Sequence, residues 1–264
     1  MHALQAPLRY LAKVAAVAGM DMRKLRHDPS ELLTRAVQPM LWLLVFGQVF
    51  ARAHSIPTGG IDYLAFLAPG ILAQSVLFVA IFNGISVIWE RDLGIVHKFL
   101  VSPAPRSALV LGKALAAGLR ALSQAAIVYA LAVAMGVPLA WSPAALAGVV
   151  VLILLGAALF STFSLIVACI VKTRERFMGI GQVLTMPLFF ASNAIYPTDI
   201  MPAWLKTVAH VNPLTYAVDG LRSLMLAQPG TSGGLGLGVD FAVLAGALAL
   251  LTVLGGRMYP RLIE

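Results

Sequence analysis

Six apolar runs, at about 33–52, 63–88, 107–136, 144–171, 177–195 and 235–256, constrain this chain more than any single motif. Each comes close to, or exceeds, the roughly 20 residues that a helix needs to cross a hydrocarbon core. In lipid the backbone finds no water, so every N–H and C=O must be satisfied within the segment, and a helix does that. Composition points the same way: 60% hydrophobic residues, 11% charged residues and a mean hydropathy of +0.89 lie far from a soluble domain. The expected fold is a single all-α integral membrane domain over residues 1–264 with six transmembrane helices.

The basic residues orient these spans. With the amino terminus in the cytoplasm, the inner segments hold Arg9, Lys13, Arg23, Lys24, Arg26 and Arg35, then Arg91, Lys98, Arg106, Lys113 and Arg120, then Lys172, Arg174 and Arg176, then Arg257 and Arg261. Only Arg52, Lys206 and Arg222 of the 19 Lys and Arg fall outside. Positive charge is retained on the cytoplasmic side, so both termini are expected there, and topology accounts for the net charge of +8 without nucleic acid as a partner. Residues 1–31 do not read as a secretory signal, since Lys13 interrupts the apolar stretch. Leu4, Leu8, Leu11, Ala15, Ala18, Met22 and Leu25 recur at helical spacing against a basic complement, which predicts an amphipathic helix in the membrane interface.

Several chemistries are excluded by what the sequence lacks. Cys169 is alone, and the five histidines are scattered among different loops, so neither a disulfide framework nor a metal site is expected. Gly112-Lys113 has no upstream glycine of a phosphate loop, and Ala114 stands where Ser or Thr would hold magnesium. No Asp or Glu falls near the middle of a span, which argues against a proton-coupled carrier. The spans do carry neutral polar groups: Gln38, Gln48, Gln74, Asn83, Gln124, Gln182 and Asn193. Amides are costly against lipid and are expected to turn toward other helices or a translocation path. Arg120 lies within the third span; either its stem snorkels to the interface or the residue lines a wet interior face.

Two constellations remain. Residues 89–103 place Glu90, Arg91, Gly94, His97 and Lys98 on one side of a helical wheel and Leu93, Ile95, Val96, Phe99 and Leu100 on the other. The second span is expected to end near Trp89, Asp92 to cap a new short helix from 93 to about 101, and Pro103 to end it. Between the fifth and sixth spans, Pro197, Pro202 and Pro213 cut residues 193–222 into pieces too short to cross a membrane, yet Trp204, Leu205, Val208, Val211 and Leu214 are too apolar for a free loop. A helical hairpin dipping into the outer leaflet over residues 196–222 fits both facts, with Asp219 and Arg222 spaced to pair.

Together these pieces resemble the permease subunits of type 2 ABC exporters. The Glu90-Arg91-Asp92-Leu93-Gly94 run, with Leu100 and Ser102-Pro103, is similar to that family's intracellular loop motif; Tyr196-Pro197, Pro202 with Trp204-Leu205, and Asn212-Pro213-Leu214 with Tyr216, Asp219, Gly220 and Arg222 are similar to its outer hairpin. The resemblance implies a homodimer in the bacterial cytoplasmic membrane, surrounded by lipid, with two copies of a separate ABC ATPase that bind ATP and Mg; no cofactor is expected on this chain. It further implies that Glu90, Arg91, Asp92, Gly94, His97, Lys98 and Pro103 form a coupling helix against the ATPase. Tyr196, Pro197, Pro202, Trp204, Asn212, Pro213, Tyr216, Asp219 and Arg222 would form an exit gate, and Gln38, Gln74, Asn83, Gln124, Gln182 and Asn193 would line the path. The cargo class suggested is drug- or antibiotic-like, with lipo-oligosaccharide or polysaccharide as the alternative. An integral membrane enzyme acting on a lipid-linked substrate is the competing class, and it would need acids or histidines converging at one interface, where only Glu90, Asp92 and His97 come close.

Overall fold

The computed structural model describes residues 30–53, 56–95, 106–171, 173–227 and 236–259, with Val14, Ala16 and Gly19. The expected interfacial helix over 1–31 and the latter part of the coupling segment, including His97, Lys98 and Pro103, lie outside these residues. The chain is helical at each of the six expected spans. α1 (Ser30–Leu41) passes through a π-helical stretch, Trp42–Gly47, into α2 (Gln48–Ala53); α3 is Tyr63–Asp92, α4 Arg106–Ala134, α5 Pro143–Ile170, α6 Arg174–Phe190, α7 Ala203–Val211, α8 Pro213–Met225 and α9 Leu237–Met258.

Four of these helices are long and apolar enough to cross a membrane: Tyr63–Asp92, Ala108–Ala134, Pro143–Ile170 and Leu237–Met258. The first and fifth expected spans are shorter. The apolar part of the first is Val37–Ala53. The fifth ends at Phe190 instead of running to 195, because Asn212 takes its terminal carbonyls: Asn212 Nδ2 donates to Leu188 O at 2.7 Å and to Ala191 O at 3.0 Å. The orphan carbonyls of a helix end need such partners.

α3 is the axis of the fold. It is strongly hydrophobic, and 94% of its most hydrophobic window is buried, so its few polar residues face other helices and not solvent. The π-helical stretch, α4, α5, α6 and α8 all pack on it, and α9 closes the far side against α4, α5 and α8. Two close approaches depend on glycine. A Cβ at Gly47 would lie 2.6 Å from Leu64 Cδ2, and one at Gly70 would overlap the backbone of Ala194. Gly70→Val is therefore expected to destabilise the chain by about 2–3 kcal/mol, read as a lowered Tm in detergent, whereas the same change at Gly246, which faces open space, should leave Tm nearly unchanged.

Candidate functional site

α3 and α4 lie antiparallel, and their polar residues meet in two layers. In the first, Lys113 Nζ donates to Glu90 Oε1 at 2.5 Å, with side chains only 3% and 5% exposed. Seven residues farther along each helix, about two turns or roughly 10 Å, Arg120 Nη1 donates to Asn83 Oδ1 at 2.7 Å. Asn83 Nδ2 donates in turn to Ser161 Oγ on α5 at 3.2 Å, which fixes the amide. A seven-residue step returns to nearly the same helix face, so both pairs stand on one wall.

That wall borders a cavity of about 740 Å³ between α1, α3 and α4. Gln38, Gln74, Asn83 and Gln124 line it with Arg120, while Phe78, Phe82 and Trp89 add aromatic surface; Glu90, Leu93 and Ile95 mark one end. Of the six amides expected along a path, the structure brings these four together. Gln182 is exposed on α6, and Asn193 sits in the turn after α6, near the opposite end of α3. Arg120 stands at the midpoint of α4, fourteen residues from Arg106 and from Ala134, or about 21 Å from either helix end. Its bond to Asn83 and its place in the lining put the residue in the cavity wall, the second of the two expected positions.

At the Glu90 end, α3 runs one turn past the expected stop. Asp92 is its last residue and not the cap of a following helix: Leu93 N bonds to Trp89 O at 3.0 Å and Gly94 N to Arg91 O at 2.9 Å, with Gly94 at φ +71° closing the turn. That left-handed backbone favours glycine. Asp92 instead bridges two elements, accepting from Arg91 Nη2 at 2.9 Å and from Arg174 Nη2 at 2.8 Å, and the Arg174 guanidinium lies 3.6 Å over the Trp89 ring. Glu90 is buried in the wall, which leaves Arg91, Asp92 and Gly94 as the accessible part of the expected contact among the described residues.

At the Tyr63 end, the expected hairpin consists of two short helices joined at Asn212. Pro197 and Pro202 precede the 3-10 turn Thr198–Ile200 and α7, respectively. Asn212 Oδ1 caps α8 by accepting from Leu214 N at 3.0 Å, with Pro213 at the first helical position where its missing N–H costs nothing. Tyr196 Oη donates to Phe190 O, and Tyr216 Oη donates to His210 O at 2.7 Å. α7 carries Trp204 and Val211 at 69% and 80% exposure, while α8 buries Asp219 and Arg222. Arg222 Nη2 donates to Asn193 O at 2.8 Å and Phe66 O at 3.3 Å, and its guanidinium stacks 3.9 Å over the Phe66 ring.

Sequence reasoning missed two of these contacts, Lys113 with Glu90 and Arg174 with Asp92, and it missed the burial of Asp240 on α9, whose Cβ packs beside Gly220. For the first, a signal was present. The intervals from Asn83 to Glu90 and from Lys113 to Arg120 are equal, as antiparallel neighbours require to match twice.

Comparison with known proteins places this chain among transport proteins. Residues 13–226 match the family model described as ABC-2 type transporter. The chain is 30% identical over 203 residues to a Cyanophora paradoxa protein named as the transport permease ycf38, covering 76% of this chain and 70% of that one. It is 27% identical over 239 residues to the daunorubicin resistance ABC transporter permease protein DrrB1 of Streptomyces coeruleorubidus, covering 90% and 82%. Nodulation protein J of Rhizobium leguminosarum bv. trifolii is 27% identical over 202 residues, covering 76% of each chain.

Proposed function

This chain belongs to the ABC-2 type transporter family, and on that premise we propose that it is the membrane-spanning permease of an ATP-driven exporter for hydrophobic or amphipathic, drug-like molecules. Family membership implies an ABC ATPase as partner and a multi-pass membrane location. In this reading two copies of a separate ATPase subunit bind ATP and Mg, two copies of the permease form the path, and both termini face the cytoplasm of a bacterial inner membrane. The observation that carries the reading is the amide-lined cavity of about 740 Å³, which begins beside the Glu90-Arg91-Asp92 run and reaches the middle of α4. A compartment of mixed amide and aromatic lining suits an amphipathic cargo. The drug-resistance relative from Streptomyces coeruleorubidus supports the same cargo class.

α3 supplies the mechanical connection. Its thirty residues span about 45 Å as a helix. Its Glu90 end is tied to α4 through Lys113 and to α6 through Asp92 and Arg174, and its Tyr63 end accepts Arg222 at Phe66 O. A push from the ATPase on segment 89–103 would thus reach both the cavity wall and the hairpin over residues 196–222, which serves as the exit gate. Exposed apolar side chains on α6 and α7, Val183 and Val211 foremost, offer a face for the second copy and for lipid.

The test is co-reconstitution of the full chain with its ATPase in sealed vesicles, measuring ATP hydrolysis and ATP-dependent movement of an amphipathic dye. Asp92→Ala should leave the permease folded, with less than about 1 kcal/mol lost from a part-exposed ion pair. The same variant should lower both cargo-stimulated hydrolysis and transport severalfold. Wild-type vesicles that hydrolyse ATP without moving dye would overturn the export reading; an Asp92→Ala variant with full stimulation would overturn the coupling role.

A further inference from the structure

We infer that Arg120 is the recognition point for the anionic head, a phosphate or carboxylate, of an amphipathic ligand held in the cavity. This rests on reading the cavity as the transport chamber, and it adds the sign of the cargo's charge. Arg120 is always cationic, and a cation at the middle of a spanning helix requires compensation. What it has is neutral: Nη1 bonds to the Asn83 amide at 2.7 Å, and Nε is buried without a partner. Among the described residues no carboxylate pairs with it. The acid nearest along the same wall, Glu90, already lies 2.5 Å from Lys113. Among the described residues, then, the positive charge of Arg120 faces the cavity without a carboxylate partner.

The surroundings fit the two ends of an amphipath. Gln124, one turn from Arg120 on α4, borders the cavity and can donate to the free oxygens of a phosphate or carboxylate, while Phe78, Phe82 and Trp89 give its chain an apolar wall. In a site with little water, a guanidinium–oxyanion contact is far stronger than in bulk solvent. A cationic amphipath would meet repulsion at the same place.

The probes are dodecyl phosphate and dodecyltrimethylammonium, titrated into the purified full chain in a neutral maltoside detergent and followed by native mass spectrometry. The wild-type chain is expected to bind the phosphate roughly tenfold or more tighter than the ammonium. Arg120→Gln should weaken phosphate binding by roughly tenfold to a hundredfold and abolish the preference, while Arg120→Lys should keep the preference with only a partial loss. Asn83→Asp supplies an internal carboxylate and should reproduce the Gln effect with the arginine still in place, so the outcome does not depend on one variant folding. Adding phosphatidylglycerol separates the sources: displacement of the probe identifies a lipid headgroup as a competent ligand, and no displacement identifies a free amphiphile. Both outcomes retain the anionic head. Equal binding of the two probes by the wild type, or unchanged phosphate binding in both Arg120→Gln and Asn83→Asp, overturns the assignment. Transport without the phosphate preference would refute this assignment alone, and the preference without ATP-driven transport would refute the exporter reading alone.

Discussion

Glu90→Ala is expected to destabilise the folded chain by about 3–5 kcal/mol, the cost of leaving one member of a buried ion pair without the other. Lys113 would remain in the wall between α3 and α4, 3% exposed, with its 2.5 Å contact gone. Taking a counter-charge away from a buried ammonium is costly, so the helices are expected to loosen and admit water. Thermal unfolding in detergent should report a large fall in Tm for Glu90→Ala and for Lys113→Ala. The double variant Glu90→Leu with Lys113→Met fills similar volume without charge and should recover most of the loss, because an apolar pair can replace a buried salt bridge at little cost. A single-variant Tm equal to wild type would refute the placement of the pair. Asp92, two residues away and in contact with Arg174 at the surface, should show the opposite profile: little change in Tm and a large change in coupling to the ATPase.

The second large effect is expected at the other end of α3. Arg222→Ala removes two hydrogen bonds to the carbonyls of Asn193 and Phe66 and the stacking on the Phe66 ring, all in a fully buried setting. Each charge-assisted bond contributes about 1.5–3 kcal/mol, and the stacked cation adds about 0.5–2 kcal/mol. The sum is discounted because water can enter the vacated space, which leaves about 2–4 kcal/mol, read as a lowered Tm. Transport should fall more steeply than stability, since α8 would lose its anchor to α3 and the hairpin would no longer follow that helix. Arg222→Lys is not expected to rescue fully, because an ammonium lacks the planar face that stacks on Phe66. Lys206→Ala on the exposed α7 is the control: its 3.7 Å contact with Asp199 is solvent-screened and should contribute under about 1 kcal/mol. Arg222→Ala with wild-type transport would refute the role of this staple in gating.

Much of the site was legible as residue types and little of it as partners. The amides Gln38, Gln74, Asn83 and Gln124 stand out in apolar runs because a polar side chain among lipid-facing residues carries its own penalty. Their convergence on one cavity depends on how α1, α3 and α4 are rotated, and Gln182 shows the difference: the same residue type in a similar run ends up on the exposed face of α6. The charged run at Glu90-Arg91-Asp92 was visible for the same reason, but its roles divide by helical phase. α3 continues through all three positions, so a turn of 100° per residue sends Glu90 into the wall and Asp92 outward. Expecting the span to end near Trp89 put all three at the start of a separate short surface helix capped by Asp92.

By itself, the sequence determined that the chain is helical and built for a membrane, with runs of apolar residues in six places and a proline-cut segment before the last. Those properties follow from hydrophobicity and backbone hydrogen bonding, which act along the chain and need no partner. The tertiary structure alone decided which charges compensate one another: Glu90 with Lys113, Asp92 with Arg174, Arg222 with the carbonyls of Phe66 and Asn193, and Arg120 with a neutral amide. Compensation depends on separations of a few ångströms between residues far apart in the chain, because electrostatic energy falls with distance and rises as water is excluded.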